Sequence, residues 1–262
     1  MLRNFILLSF CCSAANATPF RVVLDPGHGG RDSGAVYGDV KESEIVLAVT
    51  KELEKAIKNH GDTYVVLQTR DSDIYKSLPS RAIDANRFRG ELFISIHVNA
   101  SRDQRAKGAE FYFQNQLPAE EEALFLAAKE NEKDHHENLP DVKIFDFSKY
   151  EYKMPNNDTI NIVEDLARQT RFVLSRQLAE SLLLTWDHKG KAFHKSLRQA
   201  PFYLLSNLKM PAALAEIGFL TNQKDAKELS NPEYHKQIAQ NLFKGIISYK
   251  EFIDKYRAKG LD

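Results

Sequence analysis

Three short apolar runs in this chain each lead into a side chain that can ligate a metal or move a proton. Arg21-Val22-Val23-Leu24 enters the turn Asp25-Pro26-Gly27-His28-Gly29-Gly30, Phe93-Ile94-Ser95-Ile96 ends on His97, and Ala212-Ala213-Leu214-Ala215 ends on Glu216. Each run has the length and apolar content of a buried strand. Between them, Ile45, Val49, Leu53, Ala56 and Ile57 keep helical spacing from Ser43 to Lys58, and a polar helix is expected over Ser80 to Arg89. Strands alternating with helices give crossover units and a largely parallel sheet. Ligands gather beyond the carboxyl ends of the strands in such a sheet. His28, His97 and Glu216 are therefore expected at one rim, joined by Glu42 at the start of the first helix.

The remaining segments extend the same pattern. Tyr64 to Thr69, Glu110 to Phe113 and Pro201 to Leu205 read as strands, and Thr159 to Trp186 and Tyr234 to Tyr256 as long helices. From Pro118 to about Asn157 the character changes. Glu120, Glu121 and Glu122 open a helical stretch that reaches Glu130, and a polar segment with Pro140 and Pro155 follows. The chain has no repeat or low-complexity linker, so the expected class is α/β: a single domain over 18–262, its sheet flanked by helices, with an inserted helical segment at about 118–157.

Composition narrows the function. Lys+Arg and Asp+Glu both number 36, so the chain lacks the basic excess of a nucleic-acid binder. Arg3, the apolar run Phe5 to Cys12 and the small residues ending in Ala15-Asn16-Ala17 form a signal peptide pattern over 1–17. Cleavage before Thr18 and export to the periplasm or cell wall are expected. Phe10 before Cys11, and Cys11 before Cys12, argue against a lipid anchor. Both cysteines fall in this segment, so any metal in the mature chain must be held by His and carboxylates. No later stretch is apolar enough to span a bilayer, and a soluble monomer is expected.

Two neutral imidazoles and one carboxylate suit Zn²⁺ and leave a fourth position for water. Water on zinc yields hydroxide near neutral pH. A second carboxylate can take its proton and pass it to a departing amine, a step that amide cleavage requires. Singly, each residue has an ordinary reading: His28 as a turn residue, His97 as a strand-end histidine, Glu42 as an acid favoured by about 0.3–1 kcal/mol at a helix N-terminus. Glu216 resists that treatment, because an ionised carboxylate ending an apolar run is costly unless paired or beside a metal. Their joint placement favours a site.

Four separated segments carry a resemblance. Val22 to Gly30, Lys41-Glu42, Phe93 to Ala100 and Ala215-Glu216-Ile217-Gly218-Phe219-Leu220-Thr221-Asn222 resemble the signatures of the zinc-dependent N-acetylmuramoyl-L-alanine amidases of the AmiA/AmiB/AmiC type, over about Phe20 to Tyr256. The resemblance implies a mixed sheet flanked by helices and cleavage of the amide between N-acetylmuramic acid and the stem peptide of peptidoglycan. It implies His28, Glu42 and His97 as zinc ligands and Glu216 as the catalytic carboxylate. Some members of this family are held inactive by a helix whose glutamate reaches the zinc until a LytM-domain partner moves it. Glu130, in the acidic helix of the insert, fits such a plug, and a solvated acidic helix is the alternative.

Other residues are expected to be structural. His135-His136 should face solvent, and His60, His188, His194 and His235 lack matching motifs. Arg70 and Asp71 fit a surface ion pair better than a cleft lining, and Asn99 could position substrate through its amide. Two rivals remain: a zinc carboxypeptidase on a similar fold, and a non-enzymatic wall-binding module.

Overall fold

The computed structural model describes residues 18–115, 120–132, 158–187 and 194–260, without the side chains of 158–163. The signal peptide, His135-His136, His188 and the insert beyond Glu132 lie outside the described residues.

In chain order the elements are β1 (Phe20–Pro26), β2 (Val36–Tyr37), β3 (Val40–Lys41), α1 (Glu42–Lys58), β4 (Tyr64–Gln68), α2 (Leu78–Phe88), β5 (Leu92–Asn99), β6 (Ala109–Gln114), α3 (Glu121–Glu132), α4 (Asp158–Thr185), β7 (Lys195–Ala200), α5 (Tyr203–Ser206), β8 (Ala212–Phe219), α6 (Gln223–Leu229) and α7 (Pro232–Arg257). A six-stranded sheet has the order β4-β1-β5-β8-β6-β7. The first four of these strands run parallel. Strand β6 is antiparallel to β8, and β7 follows β6, so the sheet is mixed as well as largely parallel.

Every residue of β5 and β8 is buried, which explains why these runs are apolar on both faces. One face packs Val22, Leu24, Ile94, Ile96 and Ala213 against α1, α4 and α7. The other packs Val23, Phe93, Tyr112 and Leu214 against α2, α3 and α5. Side chains alternate along a strand, so His97, Glu110 and Glu216 share the second face with Phe93, Tyr112 and Leu214. That face carries the site. Among the described residues no helix is long and apolar enough to cross a membrane.

Several expectations need correcting. Glu216 does not end its strand; β8 continues to Phe219, and β5 continues past His97 to Asn99. Pro201 to Leu205 is not a strand. The strand is Lys195–Ala200, and the chain then enters α5 at Phe202. As the outer strand of the sheet, β7 has little apolar surface to bury, so its polar sequence gave no strand signal. The β2–β3 hairpin and α6, capped by Asn222 accepting from Lys224 N at 3.0 Å, were also not anticipated.

Candidate metal centre

His28 stands just past β1 with a left-handed backbone, φ 59°, a conformation that costs a non-glycine residue about 1–2 kcal/mol. Two buried guanidinium groups hold the turn that carries it. Arg81, from α2, donates to His28 O at 2.6 Å, to Pro26 O at 2.8 Å and to Asp25 Oδ1 at 2.8 Å. Arg70 donates to Gly27 O at 2.7 Å, Pro26 O at 2.9 Å and Ser43 O at 3.0 Å. It is therefore a buried clamp, not the surface ion-pair partner expected from the sequence. Asp25 also accepts from Thr69 Oγ1 at 2.5 Å and Ser95 Oγ at 2.6 Å. Burial would raise the Asp25 carboxyl, but Arg81 and these hydroxyls outweigh it and hold it below the ordinary range. Glycine is required where the turn meets the centre: a Cβ on Gly27 would lie 2.4 Å from His97 Cε1.

Among the described residues, His28, Glu42 and His97 form one buried group able to hold a metal, their ligand atoms all within 4.8 Å of one another. His28 Nε2 is 2.9 Å from Glu42 Oε1 and 3.1 Å from His97 Nδ1, which is 3.2 Å from the same Glu42 oxygen. Four ligands at about 2.0–2.1 Å from a tetrahedral zinc stand about 3.3 Å apart, so the donors fit with shifts of a few tenths of an ångström. Their outer contacts aim them. His28 Nδ1 is 2.7 Å from Asp32 Oδ2, which leaves Nε2 to ligate. Glu42 accepts from Ala35 N at 2.7 Å on Oε2 and from Val98 N at 2.9 Å on Oε1.

Electrostatics agree with a cation site. Burial opposes charge on His28, but Glu42, Asp32 and Glu130 override it and push its pKa up to about 9. Burial likewise raises Glu42, but His28 and His97 outweigh it and hold it well below the carboxylate range.

Glu216 is the Cα partner of His97 across β5 and β8, and of Glu110 across β8 and β6. It is 1% exposed, and its Oε2 has no hydrogen-bond partner. Burial, reinforced by Glu42 and Glu130, pushes its pKa well above the ordinary value. A buried carboxyl of raised pKa with an unbonded oxygen, next to a donor group able to hold a metal, marks a candidate functional residue.

From α3, Glu130 reaches the same centre. Its Oε2 is 3.5 Å from His28 Nε2 and 3.6 Å from His97 Nδ1. Ala123, Leu126 and Ala127 pack α3 into the core of this face, and Asn131 exchanges hydrogen bonds with Pro201 O and Tyr203 N.

Beyond these, the sequence reading did not single out Asp32, Arg81, Glu110 or Arg198. Asp32 was findable, being one helical turn's spacing from His28 in the same glycine-rich segment. Arg81 and Arg198 were not, since only the fold brings them inward. Asn99 donates to Glu110 Oε2 at 3.0 Å rather than standing open. His60 packs on Tyr64 and Phe243, and His235 sits 2.5 Å from Leu229 O, both apart from the centre.

Residues 22–248 match the family model described as N-acetylmuramoyl-L-alanine amidase. AmiA of Escherichia coli K12 is 29% identical, over 90% of this chain and 78% of its own length. Solved structures share the fold. An N-acetylmuramoyl-L-alanine amidase from Clostridium difficile 630 superposes with TM-score 0.62 at 24% identity, covering 90% of this chain and 98% of that one. AmiC2 of Nostoc punctiforme does so with TM-score 0.59 at 25% identity, covering 88% and 97%. On the extent of the family match and the coverage of these relatives, the chain belongs to the N-acetylmuramoyl-L-alanine amidase family.

Proposed function

We propose that this chain hydrolyses the amide between the lactyl group of N-acetylmuramic acid and the L-alanine of peptidoglycan stem peptides. In this reading His28, Glu42 and His97 hold Zn²⁺, and Glu216 is the proton-transferring carboxyl. One observation carries it: a member of this family sets a tetrahedrally spaced donor group beside a buried carboxyl with an unpartnered Oε2. Bound zinc supplies Lewis acidity to the lactyl carbonyl and to water.

The chain's own residues do the rest. Asp32 and Val98 N orient His28 and Glu42. With Zn²⁺ bound, the cation would offset Glu42 and Glu130 and leave Glu216 ionised, so that it takes the proton of the attacking water and delivers it to the amine of L-alanine, which leaves poorly without it. Its high proton affinity keeps that proton between the two steps.

Glu130 acts as a resting-state fourth ligand in this reading, and α3 must move for substrate to enter. The separations among the four donors that involve a histidine nitrogen run from 2.9 to 3.6 Å, which supports a completed tetrahedron. A LytM-domain activator is the partner the family resemblance suggests. The signal pattern at 1–17 fits export of a catalytic domain over 18–262, since peptidoglycan lies outside the cytoplasm.

The test uses zinc-loaded protein, with and without Glu130→Ala, on purified sacculi. Release of stem peptides with a free L-alanine amine is expected. Trimmed peptides still attached to sugar would overturn the proposal in favour of a peptidase. No zinc bound on purification or titration would overturn it in favour of a binding module.

A further inference from the structure

Helix α3 does more than bring Glu130 to the centre; its polar contacts at Asn131 and at its acidic start are of the kind a peptide makes. Glu130 sets a carboxyl at one end. Asn131 binds with its side-chain amide, Nδ2 to Pro201 O at 3.1 Å and Oδ1 from Tyr203 N at 2.8 Å. That backbone pair accepts and donates as it would toward a peptide group. At the other end, Arg198 of β7 holds Glu120 Oε2 at 2.8 Å and Glu122 Oε2 at 3.1 Å, both through Nη1.

The guanidinium is prearranged for this. Its Nη2 is fixed by Glu110 Oε1 at 3.1 Å and its Nε lies 3.3 Å from Ser196 Oγ. The Arg198 side chain is 17% exposed, whereas Glu120 is 55% and Glu122 84% exposed. Two solvent-borne carboxyls therefore visit a semi-buried, oriented fork, and another carboxylate can replace them.

The span suits a stem peptide. From Glu122 to Glu130 the helix rises about 12 Å. Along the floor, His97, Glu216, Glu110 and Ser196 are successive Cα partners on β5, β8, β6 and β7, a row of roughly 14 Å at about 4.8 Å per strand. An extended peptide covers that distance in about four residues.

Resting on the amidase reading, we infer that the surface beneath α3 seats the stem peptide, with Arg198 as the specificity residue that anchors a free carboxylate about four residues beyond the cut amide. Glu120 and Glu122 occupy that anchor until the peptide replaces them. Glu110 and Ser196 are positioning residues for the Arg198 fork.

The test is equilibrium binding of a muramoyl tetrapeptide, and of the same compound with its distal carboxylates amidated, to metal-free protein, where no hydrolysis occurs. The double variant Glu120→Gln/Glu122→Gln should bind the acid at least about tenfold more tightly than the unaltered chain does, the scale of one charge-assisted contact. Amidation should erase the gain, and adding Arg198→Met should leave acid and amide equally weak. Equal binding of acid and amide by the double variant, discrimination that survives Arg198→Met, or no binding by any of the proteins would overturn the inference. The amidase reading fails separately: zinc-loaded double variant that discriminates but releases no stem peptide sinks that reading and spares Arg198. Cleavage without discrimination does the reverse.

Discussion

Replacing Glu216 by Gln should separate catalysis from stability in a way no purely structural residue would. Glu216 is 1% exposed, and burial with Glu42 and Glu130 nearby raises its pKa well above the ordinary value. In the unfolded chain it ionises near 4.5, its ordinary value. Above that pH the folded state holds a proton that the unfolded state has lost. Stability from this group is therefore complete below the unfolded pKa and falls as pH rises, by about 1.4 kcal/mol per pH unit while the folded carboxyl stays protonated. Gln cannot ionise, so the variant lacks that slope. Its amide meets the same partnerless surroundings as Oε2, at a cost of about 1–3 kcal/mol that does not vary with pH. Melting curves of chelator-treated protein at pH 5, 6 and 7 should thus converge and then favour the variant. For a domain of this size each pH unit should shift the difference in melting temperature by about 3–6 °C. Zinc-loaded variant should keep its metal while turnover on sacculi falls by about 10²–10⁴-fold. Parallel melting curves across pH would refute the buried, protonated carboxyl, and undiminished turnover would refute its role as base.

Three further outcomes test the rest of the centre. Asp32→Asn loosens the imidazole of His28 and should weaken zinc affinity by about 10–100-fold, read by competition with a chromophoric chelator; unaltered affinity would count against the orienting contact. Arg81→Met removes the cationic partner of Asp25 and one donor each from three backbone carbonyls, those of Pro26, His28 and Lys76, and should cost about 3–5 kcal/mol in urea unfolding; a loss under about 1 kcal/mol would contradict the clamp. Glu130→Ala should raise basal activity on sacculi and lower zinc affinity together, and no change in either would show that α3 does not guard the metal.

The sequence made the sheet legible where strands are buried on both faces, because β5 and β8 must be apolar throughout. It also marked out His28, His97 and Glu216, each of which interrupts an apolar run or a glycine-rich turn, while Glu42 was marked only by its place at the start of α1. Residues outside the central strands were harder to read. Among the described residues Lys195 to Ala200 pairs only with β6, so its polar composition carries no period to detect. The length of β8 was underread because Glu216 looks like a terminator, while in the fold its cost is met inside the strand by protonation. Arg70 looked like a surface cation, because nothing local announces that three carbonyls of β1, its turn and α1 need a buried donor.

Those carbonyls explain how the centre distributes its charge. A turn sharp enough to present His28 and Gly27 beside His97 leaves the oxygens of Pro26, Gly27 and His28 facing inward, and only long cationic side chains reach them all. Two buried cations next to a metal site would repel the ion. Burial, with Arg81 adding to it, already pulls Arg70 down to about 10. Carboxyls offset them: Asp25 pairs with Arg81, and Asp25, Asp73 and Asp32 act on Arg70, while Asp32 and Glu42 also pair with His28. Once those partners are assigned, Glu216 is, among the described residues, the one carboxyl on this rim with a buried oxygen that makes no hydrogen bond. Burial with Glu42 and Glu130 nearby favours its protonated form, and Arg81 holds the turn that sets His28 beside Glu42, so loss of Arg81 should disturb the pH dependence of turnover as well as stability.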